Sequence, residues 1–254
     1  GIYRAVWDEE GSVHWGFFDD STGGDFLKAC ANLNRIMAEK GRIKNDASVL
    51  DLGCGNGTTA IWLSKAQGCR VTGVDLSGVR VDNAKADRLR QDSPLQDRLV
   101  FEKASATDLP FRDGVFTHVW SQATIYHVHD KIAALKEAYR VLDDGGIMVF
   151  DDLTKPQPNI SADAQEYVYA RLLYDTDFSF ESYQGSLQQH GFTILEAHDL
   201  SEHLKTSYLT LADRTPKGVG EHSEHYEWLS KAYIETAKAV DNRELGWGLF
   251  ICQK

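Results

Sequence analysis

The sequence predicts an α/β fold, a mostly parallel sheet with helices on both faces, and two observations predict it. The first is the run Val49-Leu50-Asp51-Leu52, followed by Gly53-Cys54-Gly55-Asn56-Gly57, a helical stretch from Thr58, and then Val71-Thr72-Gly73-Val74-Asp75. An apolar run without alternation marks a strand buried on both faces, and glycines bring the backbone close to a ligand that Cβ atoms would block. The second is the repetition of strand and helix signals along the rest of the chain. At 254 residues a sizeable core can be buried, so one domain over 1–254 is expected.

Composition narrows the function. A hydrophobic share of 42% with 11% aromatics is that of a globular chain, and a net charge of −11 argues against a nucleic-acid surface. No apolar run reaches the length of a membrane span and no signal-peptide pattern opens the chain. Gly1 stands where an initiator Met would, so a trimmed or tagged start is expected. Cys30, Cys54, Cys69 and Cys252 lack any Cys-x-x-Cys spacing and read as reduced thiols of a cytoplasmic protein. The pairs His127/His129 and His222/His225 lack a third ligand nearby, so no metal is expected.

In chain order, residues 1–25 are rich in large rings, including Trp7, Trp15, Phe17 and Phe18, and read as an N-terminal cap. Phe26, Leu27, Cys30, Leu33, Ile36 and Met37 give 25–40 an amphipathic helical stripe. After the glycine turn and the strand ending at Asp75, 77–91 reads as a charged amphipathic helix. The third strand is 99–103 and the fourth is 116–122. A helix over 130–142 ends in Asp143-Asp144-Gly145-Gly146, before a fifth strand over 147–152. Residues 152–180 read as a substrate-side insertion, with a helix carrying Tyr167, Tyr169, Arg171 and Tyr174. A helix over 180–190 closes at Gly191, the sixth strand is 192–197, and helical runs come next over 204–211 and 222–240. The seventh strand is 246–252.

The dinucleotide fingerprint needs a third glycine at position 58, where Thr58 stands, which argues against a nicotinamide oxidoreductase. The spacing Gly53-x-Gly55-x-Gly57, with Asp51 before it and Asp75 after the next strand, resembles motif I of class I S-adenosylmethionine-dependent methyltransferases. Ala104-Ser105-Ala106-Thr107-Asp108-Leu109-Pro110-Phe111 resembles the family's adenine motif, and Arg140-Val141-Leu142 followed by two glycines and a strand is similar to another of its hallmarks. His14-Trp15-Gly16-Phe17 resembles a stretch ahead of motif I in tocopherol-type and sarcosine/dimethylglycine methyltransferases. The resemblance implies a Rossmann-like seven-stranded sheet whose last strand runs antiparallel between the fifth and sixth, plus a helical lid from the cap and the insertion.

The same resemblance implies S-adenosylmethionine as cofactor. Its contacts would be Asp51, Gly53, Cys54, Gly55, Asn56, Gly57, Asp75, Leu76, Ser105, Ala106 and the backbone of Ser121. Ser105 stands where the family commonly has an Asp. Gln122, Tyr126 and His127 would face the transferred methyl, with His127 as a candidate general base and His14 or His203 as weaker ones. Trp15, His14, Arg171, Tyr174 and Tyr208 are the candidate acceptor contacts. Arg171 would pair a carboxylate, or else be an ordinary solvated helix arginine, and the aromatic cluster would attract a methylated ammonium. The substrate reading is the amine of sarcosine or dimethylglycine, and the alternative is C- or O-methylation of a phenolic, prenylated or natural-product acceptor. A cofactor binder without transferase activity is the remaining reading. A small-molecule acceptor is expected, with no nucleic acid, and a homodimer is compatible with it.

Overall fold

The computed structural model describes Val6, Trp7, 14–216 and 223–254. His222 and much of the expected cap (1–5 and 8–13) lie outside the described residues.

Seven strands form one sheet: β1 (Ser48–Leu52), β2 (Arg70–Asp75), β3 (Leu99–Lys103), β4 (Phe116–Ser121), β5 (Leu142–Thr154), β6 (Thr193–Asp199) and β7 (Gly246–Gln253), in the order β3-β2-β1-β4-β5-β7-β6. Strands β3 to β5 pair in parallel, with Val49 beside Val71 and His118. β7 is antiparallel: Gly145 N–H donates to Lys254 O (3.2 Å) and Lys254 N–H to Gly146 O (3.0 Å), joining the start of β5 to the end of the chain. Val49, Leu50, Leu52, Val119, Trp120, Met148, Val149 and Phe150 are all fully buried. Burial of consecutive residues requires cover on both faces, and unbroken apolar runs supply it. Strand order reverses between β1 and β4, so their carboxyl ends form the crevice where ligands of open α/β sheets bind.

The longer helices are α1 (Phe26–Lys40), α2 (Thr58–Gln67), α3 (Gly78–Leu89), α4 (Lys131–Val141), α5 (Phe180–Gln189), α6 (Ser201–Arg214) and α7 (Ser223–Asp241). Four have side-chain caps at their first turn: Asp25 accepts from Lys28 N–H, Ser77 from Arg80 N–H, Asp130 from Ala133 N–H and Ser179 from Ser182 N–H. α2 has none, because Gly57 (φ 81°) precedes it and no acidic residue stands in its first turn.

Three sequence expectations shift. β5 begins at Leu142 rather than at 147, because residues 143–146 form an irregularity in the β4–β5 pairing between Phe116↔Leu142 and His118↔Ile147. The insertion does not hold one regular helix: Ala162–Ala164 passes into a π-type turn, Gln165–Ala170. Leu173 then takes φ 49°, which ends the helical path before Tyr174. The run expected over 204–211 extends to Ser201–Arg214.

The chain divides into two compact units. The sheet unit comprises Asn34–Asp152, Gln184–His198 and Leu249–Lys254; the helical unit comprises Leu153–Tyr183, Asp199–Gly248 and the residues up to Leu33. In the helical unit, Trp7, Trp15, Tyr208, Tyr233 and Trp247 pack edge-on or tilted, with ring centroids from 5.4 to 6.3 Å apart.

Candidate active site

In the sheet unit, β1 delivers its chain into a turn in which Gly53, Gly55 and Gly57 all have positive φ (84°, 55° and 81°). At Gly53 the need for glycine is also steric, since a Cβ there would fall 2.1 Å from Thr124 Cγ2. The turn is held from β2. Asp75 Oδ2 accepts from Gly55 N–H (3.0 Å), and Oδ1 accepts from Ser77 N–H (2.8 Å) at the cap of α3. Each carboxylate oxygen has a second lone pair, so both can still accept a ribose hydroxyl.

Asp51 is 3% exposed and its Oδ2 has no hydrogen-bond partner among the described residues. Burial, and then the Asp75 charge, push its pKa up to about 7. Burial likewise raises the Cys54 thiol far above its ordinary range. Asn56 Oδ1 accepts from Asn83 Nδ2 (3.1 Å), and Leu76 leaves an apolar side chain 70% exposed just past Asp75. Ser105 sits in a narrow turn with its Oγ 2.9 Å from Thr107 Oγ1 and accepting from Thr107 N–H, and Ala106 is half-buried beside it. An orphaned buried carboxylate oxygen, an uncapped helix start and a turn without Cβ atoms fit a ligand that brings an ammonium, a carboxylate and a ribose diol.

The end of β4 supplies the second half of the site. Ser121 is buried and its Oγ donates to Leu52 O (2.8 Å), tying β4 to β1. Gln122 Nε2 donates to Asn34 Oδ1 (2.8 Å), while its Oε1 accepts from Thr59 Oγ1 (3.4 Å). Residues Ile125–His127 form a 3₁₀ turn, with the Tyr126 and His127 rings 4.0 Å apart. His127 does not cap α4, because Asp130 does so. His127 is exposed on one side; lost hydration on its packed side, then the nearby Arg80 guanidinium, hold its pKa below 6.5 against the pull of Asp152. The imidazole is therefore neutral at pH 7.

The five expected acceptor contacts belong to the helical unit. His14 Nδ1 donates to Trp15 O (3.0 Å). Trp15 and Tyr208 are buried, and Tyr174 is buried against Tyr169 with centroids 5.0 Å apart. Arg171 is no solvated helix arginine. Its guanidinium carbon lies 5.4 Å from both the Tyr208 and Tyr233 centroids, Nε donates to Tyr167 O (2.7 Å) and Nη2 to Thr236 Oγ1 (3.1 Å). His203 Nδ1 accepts from Phe18 N–H (3.1 Å) and its ring stacks on Phe17, so that nitrogen is not available as a base.

Asn34, Asp151 and the Lys131–Asp152 pair escaped sequence reasoning. Asn34 had a signal, as a buried amide two positions from Ile36 on an apolar helix; the other three had none, because their partners are distant in sequence.

Residues 50–150 match the family model described as a methyltransferase domain. A 27-O-demethylrifamycin SV methyltransferase from Amycolatopsis mediterranei is 31% identical over 82% of this chain and 76% of its own length. A sarcosine/dimethylglycine N-methyltransferase from Halorhodospira halochloris is 27% identical over 100% of this chain and 91% of its own. Among solved structures, the cyclopropane synthase MmaA2 from Mycobacterium tuberculosis shares the fold with a TM-score of 0.84 at 17% identity, over 100% of this chain and 93% of that one. The chain belongs to the S-adenosylmethionine-dependent methyltransferases. It is a transferase with the Rossmann-like class I fold, and S-adenosylmethionine is its methyl donor.

Proposed function

We propose that the enzyme methylates a hydroxyl group of a small organic acceptor, with His127 as general base. The observation that carries this reading is the neutral His127 on the turn at the carboxyl end of β4, within the same unit as the glycine turn and Asp75. S-adenosylmethionine supplies an electrophilic methyl on a sulfonium, so the protein's work is alignment and proton removal. In this reading Asp75 accepts from the ribose hydroxyls, and Leu76 covers one face of the adenine while Ser105 and Ala106 meet its edge. Gly53–Gly57, Cys54 and Asn56 line the methionine portion, Asp51 answers its ammonium, and the first turn of α2 answers its carboxylate. Ser121 contributes backbone. Gln122, fixed by Asn34 and Thr59, and Tyr126 border the methyl. An acceptor hydroxyl loses its proton to neutral His127 as oxygen attacks the methyl carbon.

Trp15, His14, Tyr174 and Tyr208 remain the candidate acceptor contacts in this reading. The rings expected to attract a methylated ammonium already surround Arg171, and two of its N–H groups are committed within the protein. That weakens the amino-acid reading and favours an apolar acceptor, as with the rifamycin-modifying relative. The amine of a methylated glycine is the second reading, supported by the end-to-end match to the sarcosine/dimethylglycine relative and by the remaining N–H groups of Arg171. A net charge of −11 speaks against nucleic acid as acceptor, and four buried thiols without a disulfide suit a reducing compartment. Transfer of labelled methyl across phenols, macrocyclic and terpenoid alcohols, sarcosine and dimethylglycine tests the reading. Label on alcohols alone supports it, and label on sarcosine or dimethylglycine alone replaces it with the second.

A further inference from the structure

We infer that Asp151 is a positioning residue which, with Asp152 beside it, clamps both ends of the segment 123–131 and so sets the place of Tyr126 and His127. The inference rests on the reading of this edge as the methyl-transfer site. Ala123 has φ 49°, a conformation that side chains with a Cβ avoid and that Gly, Asn or Asp usually occupy. Alanine has no polar group with which to hold itself there. Instead the fully buried carboxyl group of Asp151 accepts from Ala123 N–H through Oδ1 at 2.6 Å, a bond strengthened by burial.

The course of residues 124–127 depends on that backbone bend. Thr124 Oγ1 donates to Gly53 O (3.2 Å) and lies within reach of Gln122 O (2.9 Å), while its methyl group fills the space beside Gly53. Thr124 O accepts from His127 N–H (3.0 Å) and so begins the 3₁₀ turn that carries Tyr126 and His127. The far end is held by the next residue of β5, since Asp152 pairs with Lys131 Nζ at 2.5 Å at the first position of α4. Two neighbouring carboxylates thus hold a segment whose own sequence would not choose this shape. Asp151 is fully buried, and in this inference it acts through Ala123.

The test compares Asp151→Ala, Asp151→Asn and the double variant Asp151→Ala/Ala123→Gly, reading calorimetric affinity for S-adenosylhomocysteine and methyl transfer. Asp151→Ala should weaken the homocysteine product and turnover by about tenfold or more, while Asp151→Asn, which keeps an acceptor oxygen, should lose less. Glycine adopts positive φ without penalty, so the double variant should recover to within about threefold of wild type. Wild-type behaviour of Asp151→Ala overturns the inference, as does a double variant as impaired as the single one. A wild-type protein that does not bind S-adenosylhomocysteine would instead overturn the cofactor reading. Should circular dichroism show Asp151→Ala unfolded, Ala123→Val and Ala123→Gly decide. The valine variant should bind about tenfold more weakly than the glycine variant, and equal affinities overturn the inference.

Discussion

At the scale of single residues, Asp75 and Asp51 make opposite predictions. Asp75 orders the glycine turn and is proposed to hold the ribose, so Asp75→Ala should weaken S-adenosylhomocysteine binding by about 1.5–3 kcal/mol in calorimetry. Asp51 is held protonated by burial, with a folded pKa of about 7 against 3.8 for the exposed side chain. The unfolded chain therefore gives up this proton near pH 4 while the folded chain keeps it to about pH 7. Stability from this residue is highest below pH 4 and falls across that window, by on the order of 4 kcal/mol at most. Denaturant unfolding of wild type and Asp51→Asn from pH 4 to 7 checks it: the wild type should lose stability relative to the variant as pH rises. His127 adds a third expectation: its lowered pKa puts the half-point of an acid-side decline in kcat/KM below that of an ordinary histidine, a decline that His127→Gln abolishes. The glycine turn and its link to Asp75 were legible in the sequence because they are local: glycines that need positive φ and an acid ending the next strand. Ala123 was not legible, because nothing in its identity announces a left-handed backbone held by a residue 28 positions later.

Among elements, α4 is the informative case. The helix itself was readable from 130–142, but nothing in the sequence set apart its first residue, Lys131. In the fold its side chain is 7% exposed and paired with an Asp152 side chain that is 0% exposed, so Lys131→Met strands a buried carboxylate. Unfolding free energy should fall by about 3–5 kcal/mol, against under about 1 kcal/mol for breaking the exposed Arg35–Glu39 pair. β5 was read five residues late because glycine and aspartate at 143–146 look like a turn; the parallel partner β4 nevertheless keeps them in the strand, through a break in register. The π-type turn at Gln165–Ala170 was likewise invisible. A helical hydrophobic pattern does not distinguish four-residue from five-residue hydrogen bonding.

For the whole molecule, the proposed placement of the cofactor in the sheet unit predicts how the protein melts. S-adenosylhomocysteine at a hundred times its dissociation constant stabilises the folded state by about 2.7 kcal/mol, and the melting temperature should rise by roughly 5–10 °C. NAD at the same concentration should leave it unchanged, since Thr58 breaks the dinucleotide fingerprint. If calorimetry resolves two transitions, the ligand should move the one that belongs to the sheet unit. The thiols of this chain allow such behaviour to be watched directly. All four native cysteines are buried, and burial lifts the pKa of Cys69 to about 11 and of Cys252 to about 12, so thiolate is scarce and sheltered at neutral pH. A maleimide dye should therefore ignore the folded wild type and react with cysteines placed at Leu173 in the helical unit and Val79 in the sheet unit, which are 85% and 72% exposed. The protein is thus ready for two-colour fluorescence without removal of any native thiol, and dye separation can be recorded as each substrate is added.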